Sequence, residues 1–268
     1  MRNLKLTLAY DGSEFHGWQV QPGLRTVQGT LADAIARITG EQVLPQGSGR
    51  TDAGVHALAQ VATFATASPI PEQNLVVALN DILPPAIRAL EAAEVPHEFH
   101  ARKSARAKTY CYRIYRGDIC PPFLARYVYH HPYPLDEDAM VRAARMLEGE
   151  HDFTSFAAVD PERHVEDEER SNVRTVFSSR WERVQGGCAQ PRAAGPTQER
   201  EDHELIYTVR GSGFLHHMVR NLVGAFLLIG KGTMRETDLT RILNARSRAA
   251  NPAATAPASG LYLVSVEY

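Results

Sequence analysis

Arg50, Thr51 and Asp52 set a cation, a hydroxyl and a carboxylate between glycines in GSGRTDAGVHALAQVATF, Gly47 to Phe64, directly ahead of an alternating apolar segment. Glycine accepts backbone angles that other residues avoid, so the turn can be tight. An ionisable pair on a tight turn can stand over a cleft and act as acid, base or nucleophile. Several chemistries are excluded. GxxxxGK[ST] is absent, and Asp52 occupies the place of the third glycine in a dinucleotide-binding GxGxxG. An aspartic protease needs two aspartates sharing a proton, each from its own loop. One carboxylate remains, with Arg50 two residues away. On this stretch alone a turn-forming aspartate bonded to its own backbone is the favoured reading.

The elements that must position these residues alternate without strict βα order. Leu4, Leu6, Leu8 and Tyr10 share one face of a strand. Val27, Leu31, Ala34, Ile35 and Ile38 form a helical stripe, with Thr26 to cap its start and Gly40 to end it. QVATF reads as a short strand, and Pro71 opens a helix through Asp81 with Leu75, Val76, Leu79 and Ile82 inward. Strands follow at 87–95 and 108–115. In the second half Asp136 caps a helix carrying Met140, Ala143, Ala144 and Leu147, and strands are expected near 173–184 and 204–210. His216–Ile229 is a strongly apolar helix ending at Gly230, Thr237 caps another through Ala245, and LYLVSVEY closes as a strand. The mixture predicts an α+β fold of two similar subdomains with antiparallel sheet, residues 1–104 and 105–268. Val184–Asp202 is expected to be a long exposed loop, and Arg246–Gly260 an irregular segment.

The composition, 44% hydrophobic and 22% charged, is that of a soluble globular protein with ample core. The longest apolar run, near Leu222–Ile229, is too short to span a bilayer, and the N-terminus carries no signal-like apolar block. Cys111, Cys120 and Cys188 form no CxxC pair, which points to reduced thiols and a cytoplasmic protein. The net charge is only −2, yet Ala101–Arg116 holds six Lys or Arg and no acid, while Asp160–Arg170 is mostly acidic. Local potential governs attraction to phosphates, so a near-neutral chain can carry a basic groove; a solvated strand face with scattered charges is an equal alternative. No metal is expected. His216 and His217 are adjacent, and on a helix they diverge by roughly 100° and cannot chelate as an i, i+4 pair can. Phe15 and Trp18 are expected to pack, and Asp11 to form a turn or contact RNA.

Further motifs accompany the turn: YDGSEFHGWQVQP (Tyr10–Pro22), FHARKSARAKTYCYRIY (Phe99–Tyr115), GSGFLHHMVRNLVGAFLLIGKG (Gly211–Gly232) and TAPASGLYL (Thr255–Leu263). Together with GRTDAG, in this order, they resemble the tRNA pseudouridine synthase A family over nearly the whole chain. The resemblance implies a role for each matching residue. Asp52 would be the catalytic carboxylate and Arg50 would displace and replace the target nucleotide. Tyr110 would stack on the target base, and Arg220, the arginine of MVRN, would pair with the carboxylate. It further implies two α+β subdomains whose antiparallel sheets join into one larger sheet, with helices on one side and the active-site cleft between them. The enzyme would be a homodimer bridged by tRNA, with Arg102, Lys103 and Arg106 as phosphate contacts. Its targets would be uridines 38, 39 and 40 in the anticodon arm. Nothing is oxidised in the reaction, so no redox cofactor or metal is required. An arginine about 4 Å from a carboxylate contributes about 4 kcal/mol at an effective dielectric of ~20, enough to offset moderate burial. Two alternatives stand beside this reading: a nucleoside glycosidase using Asp52 to activate water, which generally needs a second carboxylate, and a non-catalytic RNA-binding module on the same scaffold.

Overall fold

Period-two alternation, capped helical stripes and glycine-marked turns build two compact units, Met1–Thr109 with Tyr262–Tyr268, and Tyr110–Leu261. The computed structural model describes residues 1–159, 171–185 and 203–268. The acidic run of 160–170 lies outside the described residues, as do Cys188 and all but the first two residues of the loop expected at 184–202.

In the first unit β1 (Arg2–Tyr10) pairs antiparallel with β3 (His56–Thr66) on one side and β4 (Ile87–Val95) on the other, Leu6 lying opposite Ala62 and Ala92. The short β2 (Gln46–Gly47) lies antiparallel to β3. The strand expected from QVATF is therefore much longer, because Ala57 and Gln60 find ladder partners on β1, and His56 and Ala57 find them on the C-terminal strand. β10 (Leu261–Glu267) returns from the C-terminus to lie parallel to β3, with Tyr262 opposite His56, so the pairing is mixed rather than wholly antiparallel. Helix α1 (Val27–Thr39) starts where the Thr26 side chain accepts from the Gly29 amide and stops where Gly40 turns left-handed at φ 75°. Helix α2 (Glu72–Ile82) follows Pro71 and buries Leu75 and Leu79, while Val76 and Ile82 are half-buried. Leu4, Leu6, Leu8, Leu31, Ile35, Leu75 and Leu79 are all buried. Burial of each such side chain contributes about 1.5–3 kcal/mol to the first unit's core.

In the second unit β8 (Val173–Gln185) pairs antiparallel with β9 (His203–Gly211) and β7 (Gly149–Asp152), Trp181 lying opposite Tyr207. β5 (Ala107–Tyr115), which begins in the first unit, takes the two-residue β6 (Tyr129–His130) as a parallel neighbour. Helix α3 (Glu137–Arg145) is capped by Asp136, whose side chain accepts from the Ala139 amide. Helix α4 (Met218–Gly230) buries nearly its whole circumference, and the rings of Trp181, Tyr207 and Phe226 pack at centroid distances of 5.0–5.8 Å.

Two helix starts differ from expectation. α4 begins at Met218, not His216, because His217 adopts a left-handed φ of 57° and breaks the helical path. His216 and His217 do not diverge; their rings lie 4.0 Å apart, so the argument against joint ligation drawn from helix geometry does not apply. α5 (Asp238–Ala245) has Thr237 at its start, but that residue is itself helical and its side chain caps nothing. Asp238 accepts from the Arg235 amide instead, at 3.0 Å. The Arg246–Gly260 segment is irregular apart from single 3₁₀ turns at 248–250 and 258–260.

Candidate active site

The turn that carries Arg50 and Asp52 is clamped by the segment following β1. Asp11 caps a short 3₁₀ turn at 12–14 by accepting from the Ser13 amide. That folds the chain back so that the Trp18 amide donates to the Thr51 carbonyl at 3.0 Å and the Phe15 carbonyl accepts from the Gly54 amide at 3.3 Å. The approach is close. A Cβ on Gly12 would sit 2.0 Å from the Val55 carbonyl oxygen, and one on Gly17, at φ +84°, would sit 2.6 Å from the Thr51 oxygen. Gly47 lies equally close against the Trp18 indole. Phe15 and Trp18 are buried at 3% and 1% exposure, so both serve as packing beneath the turn. The Val55 amide donates to the Asp52 carbonyl at 3.1 Å, closing the turn around the carboxylate, with Gly54 supplying a φ of 78°. Asp52 is half-buried and Arg50 is exposed.

Beneath the turn lies a buried polar relay that sequence reasoning missed. The Tyr10 hydroxyl stands 2.8 Å from Thr51 Oγ1 and 3.4 Å from Gln60 Nε2. Gln60 Nε2 also donates to the Gly49 carbonyl at 2.9 Å, and its Oε1 accepts from Ser48 Oγ at 2.6 Å and from the Val61 amide at 3.2 Å. Burial, against the hydrogen bonds with Thr51 and Gln60, pushes the Tyr10 phenol up to about 12, so it stays neutral. Lys108 Nζ donates to the Ser48 carbonyl at 2.5 Å, tying the start of β5 to the turn. The available signals were an amide amid the apolar residues of β3 and a tyrosine closing the buried face of β1.

Arg102, Lys103 and Arg106 lie together on the loop between β4 and β5, all exposed. The loop backbone is pinned while the cations face outward. Ala101 receives a hydrogen bond at its carbonyl from the Tyr268 hydroxyl, 2.9 Å, and the Arg106 amide donates to the Glu267 carbonyl, 2.8 Å. His100 Nδ1 accepts from the Arg102 amide at 3.0 Å. Two further cations of the basic run are committed elsewhere: Arg113 grips Glu204 through two bonds of 2.7 and 2.8 Å, and Arg116 bonds His131 and Glu137.

Tyr110 and Arg220 belong to the second unit. Tyr110, on β5, is 7% exposed and meets Phe214 edge-on at 5.0 Å. Arg220 is half-buried on α4, where its Nε donates to the Ala256 carbonyl at 2.7 Å and its own carbonyl accepts from the Ala256 amide at 3.2 Å. Gly224 permits this contact, since a Cβ there would lie 2.1 Å from the Ala254 oxygen. The irregular 253–256 segment thus packs against α4 and orients its arginine. Burial pushes the Cys111 thiol up to about 11, which removes it as a thiolate nucleophile at neutral pH.

An α+β scaffold that holds a carboxylate on a braced glycine turn, with exposed cations on a loop of the same unit, has the parts that an RNA-modifying enzyme needs. A model of the tRNA pseudouridine synthase family matches residues 7–102 and 143–268, and the chain belongs to that family, whose members are isomerases. It is 52% identical over 268 residues to the tRNA pseudouridine synthase A of Solibacter usitatus, with both chains covered completely. The proteins of the same name from Moorella thermoacetica and Caldicellulosiruptor bescii are 45% and 41% identical, with 99% and 100% of each chain covered. No helix among the described residues is long and apolar enough to cross a membrane.

Proposed function

We propose that this chain converts uridine to pseudouridine at positions 38, 39 and 40 in the anticodon arm of tRNA, with Asp52 as the catalytic carboxylate. The observation that carries the reading is the braced turn: Thr51 held at its carbonyl and hydroxyl, Asp52 held at its carbonyl, and the carboxylate left half-buried. In the reaction the N1–C1′ bond breaks, the uracil turns, and a C5–C1′ bond forms. The C5 proton is released and N1 regains a proton, so atoms and electrons balance without an external oxidant or reductant. An ionised carboxylate can serve such a reaction as nucleophile or base.

The remaining roles are carried over from the family motifs. Arg50 displaces the target nucleotide, Tyr110 stacks on the extruded base, and Arg220 partners the carboxylate. Arg102, Lys103 and Arg106 hold phosphates, and their exposure supports that assignment. Extrusion of a stacked base costs a few kcal/mol, and an aromatic platform recovers about 1–3 kcal/mol of it. The working enzyme is proposed to be a cytoplasmic homodimer.

The test is Asp52→Asn, which keeps shape and removes charge. We expect pseudouridine formation in an anticodon-arm transcript to fall by more than about a thousandfold, while tRNA affinity and the melting temperature stay near the parent values. Unimpaired turnover in a sample verified free of deamidation would refute the assignment. Mapping pseudouridine in tRNA from cells with and without the gene decides the positions. Free uracil among the products would favour glycosidic hydrolysis instead.

A further inference from the structure

We propose that Tyr10 and Thr51, locked by Gln60, are positioning residues for Asp52: a buried, uncharged hydrogen-bond relay that fixes the backbone on which the carboxylate stands. The proposal rests on the assignment of Asp52 as the catalytic group. Its basis is geometric. Tyr10, Ser48, Thr51 and Gln60 are 4%, 0%, 6% and 0% exposed, so none of their polar groups can exchange a protein partner for bulk water. The Gln60 amide has no slack, since its oxygen accepts two hydrogen bonds and its nitrogen donates two. That arrangement sets the amide's orientation and places its Nε2 toward the Tyr10 hydroxyl. The hydroxyl in turn meets Thr51 Oγ1, one residue before Asp52.

Gln60 therefore reaches turn residues 48 and 49 directly and residue 51 through Tyr10. The Trp18 amide holds the carbonyl of Thr51 from the other side. Residues 48, 49 and 51 on the approach to Asp52 are thus held by the Gln60 amide, the Tyr10 hydroxyl and the Trp18 amide, with Lys108 Nζ on the Ser48 carbonyl besides. Because Tyr10 stays neutral up to about 12, its removal should change the rate without changing the shape of the pH–rate profile. A misplacement of about an ångström can cost roughly 100-fold in rate, so partial loosening is expected to cost about tenfold.

The experiment uses the full-length enzyme and an anticodon-arm tRNA, comparing Tyr10→Phe, Thr51→Val, Thr51→Ser, the Tyr10→Phe/Thr51→Val double variant and Asp52→Asn. Single-turnover rates at saturating enzyme, tRNA dissociation constants and pH–rate profiles are measured. The proposal expects Tyr10→Phe and Thr51→Val each to slow turnover about tenfold with affinity within about twofold. It expects Thr51→Ser to restore the rate, and the double variant to lose no more than either single variant, since both break one link. Rates near the parent value in folded Tyr10→Phe and Thr51→Val overturn it, even if their melting temperatures fall. Loss of one limb of the pH profile in Tyr10→Phe overturns it too, since Tyr10 would then be an acid or base itself. If Tyr10→Phe does not fold, the contrast between Thr51→Val and Thr51→Ser decides alone. Full turnover by Asp52→Asn would remove the premise, whereas an inactive Asp52→Asn beside a normal Tyr10→Phe overturns the relay only.

Discussion

Tyr110 shows how a single side chain can be asked which of its parts does the work. Its ring is buried on β5 and braced edge-on by Phe214, so it is a rigid platform with little rotamer freedom to lose on binding. If the ring stacks on uracil, Tyr110→Phe keeps the platform and Tyr110→Ala removes about 1–3 kcal/mol, roughly a 5- to 150-fold loss in kcat/KM. Steady-state kinetics on the two variants check this, and equal damage by both would assign the role to the hydroxyl instead. At this scale the sequence singles out residues whose type is rare in its setting: a carboxylate between glycines, a tyrosine amid cations, an arginine on an apolar helix. It was unreadable where the meaning lies in a distant partner. Lys108 looks like one more cation until it is seen donating to the carbonyl of Ser48, 60 residues away. Gln60 looks like a polar interruption of a strand until its four bonds are traced.

Elements follow local chemistry as far as that chemistry is local. Thr26, Gly40 and Asp136 mark helix ends as their side-chain and backbone preferences require. His217 and Thr237 do not behave so: the histidine is left-handed and the helix starts only after it, and the threonine is already helical with a side chain that caps nothing. The start of α3 carries a further consequence. Glu137 accepts from Arg183 on β8 at 2.6 Å and from His203 on β9 at 3.1 Å, so it ties the helix to the sheet. Burial raises its pKa, but the hydrogen bonds from Arg183 and His203 more than reverse this, leaving it below the ordinary 4.5. A depressed folded-state pKa contributes stability above the unfolded value and loses it as pH falls through the folded value. Glu137→Gln should therefore lower the melting temperature at pH 7, and the gap to the parent should close as pH falls below 4.5 and through the depressed folded-state value. Thermal melts across that range check the sign. A gap that stays constant would show that the carboxylate's charge is not what ties the helix.

For the whole molecule the net charge of −2 conceals a division of labour within one basic run. Counting along the sequence finds six cations between residues 101 and 116, but the fold spends Arg113 on Glu204, Arg116 on Glu137 and His131, and Lys108 on a backbone carbonyl. No local pattern shows these partnerships, because Ser48, His131, Glu137 and Glu204 lie 60, 15, 21 and 91 residues away from their cations. Arg102, Lys103 and Arg106 are exposed on a loop whose backbone is already tied down. They can meet phosphates with little ordering cost to the main chain. Each phosphate contact releases counterions and steepens the fall of log affinity with log salt by about 0.7–0.9. Replacing all three by alanine should flatten the salt slope for tRNA binding by about 2–3 and weaken binding at low salt. Arg113→Ala should behave oppositely, leaving the slope in place while lowering stability, because it leaves the buried Glu204 uncompensated. Binding titrations at several salt concentrations, paired with denaturant melts, separate the two outcomes. An unchanged slope in the triple variant would place the phosphate contacts on other residues, and a flattened slope in Arg113→Ala would show that its carboxylate partner yields to RNA.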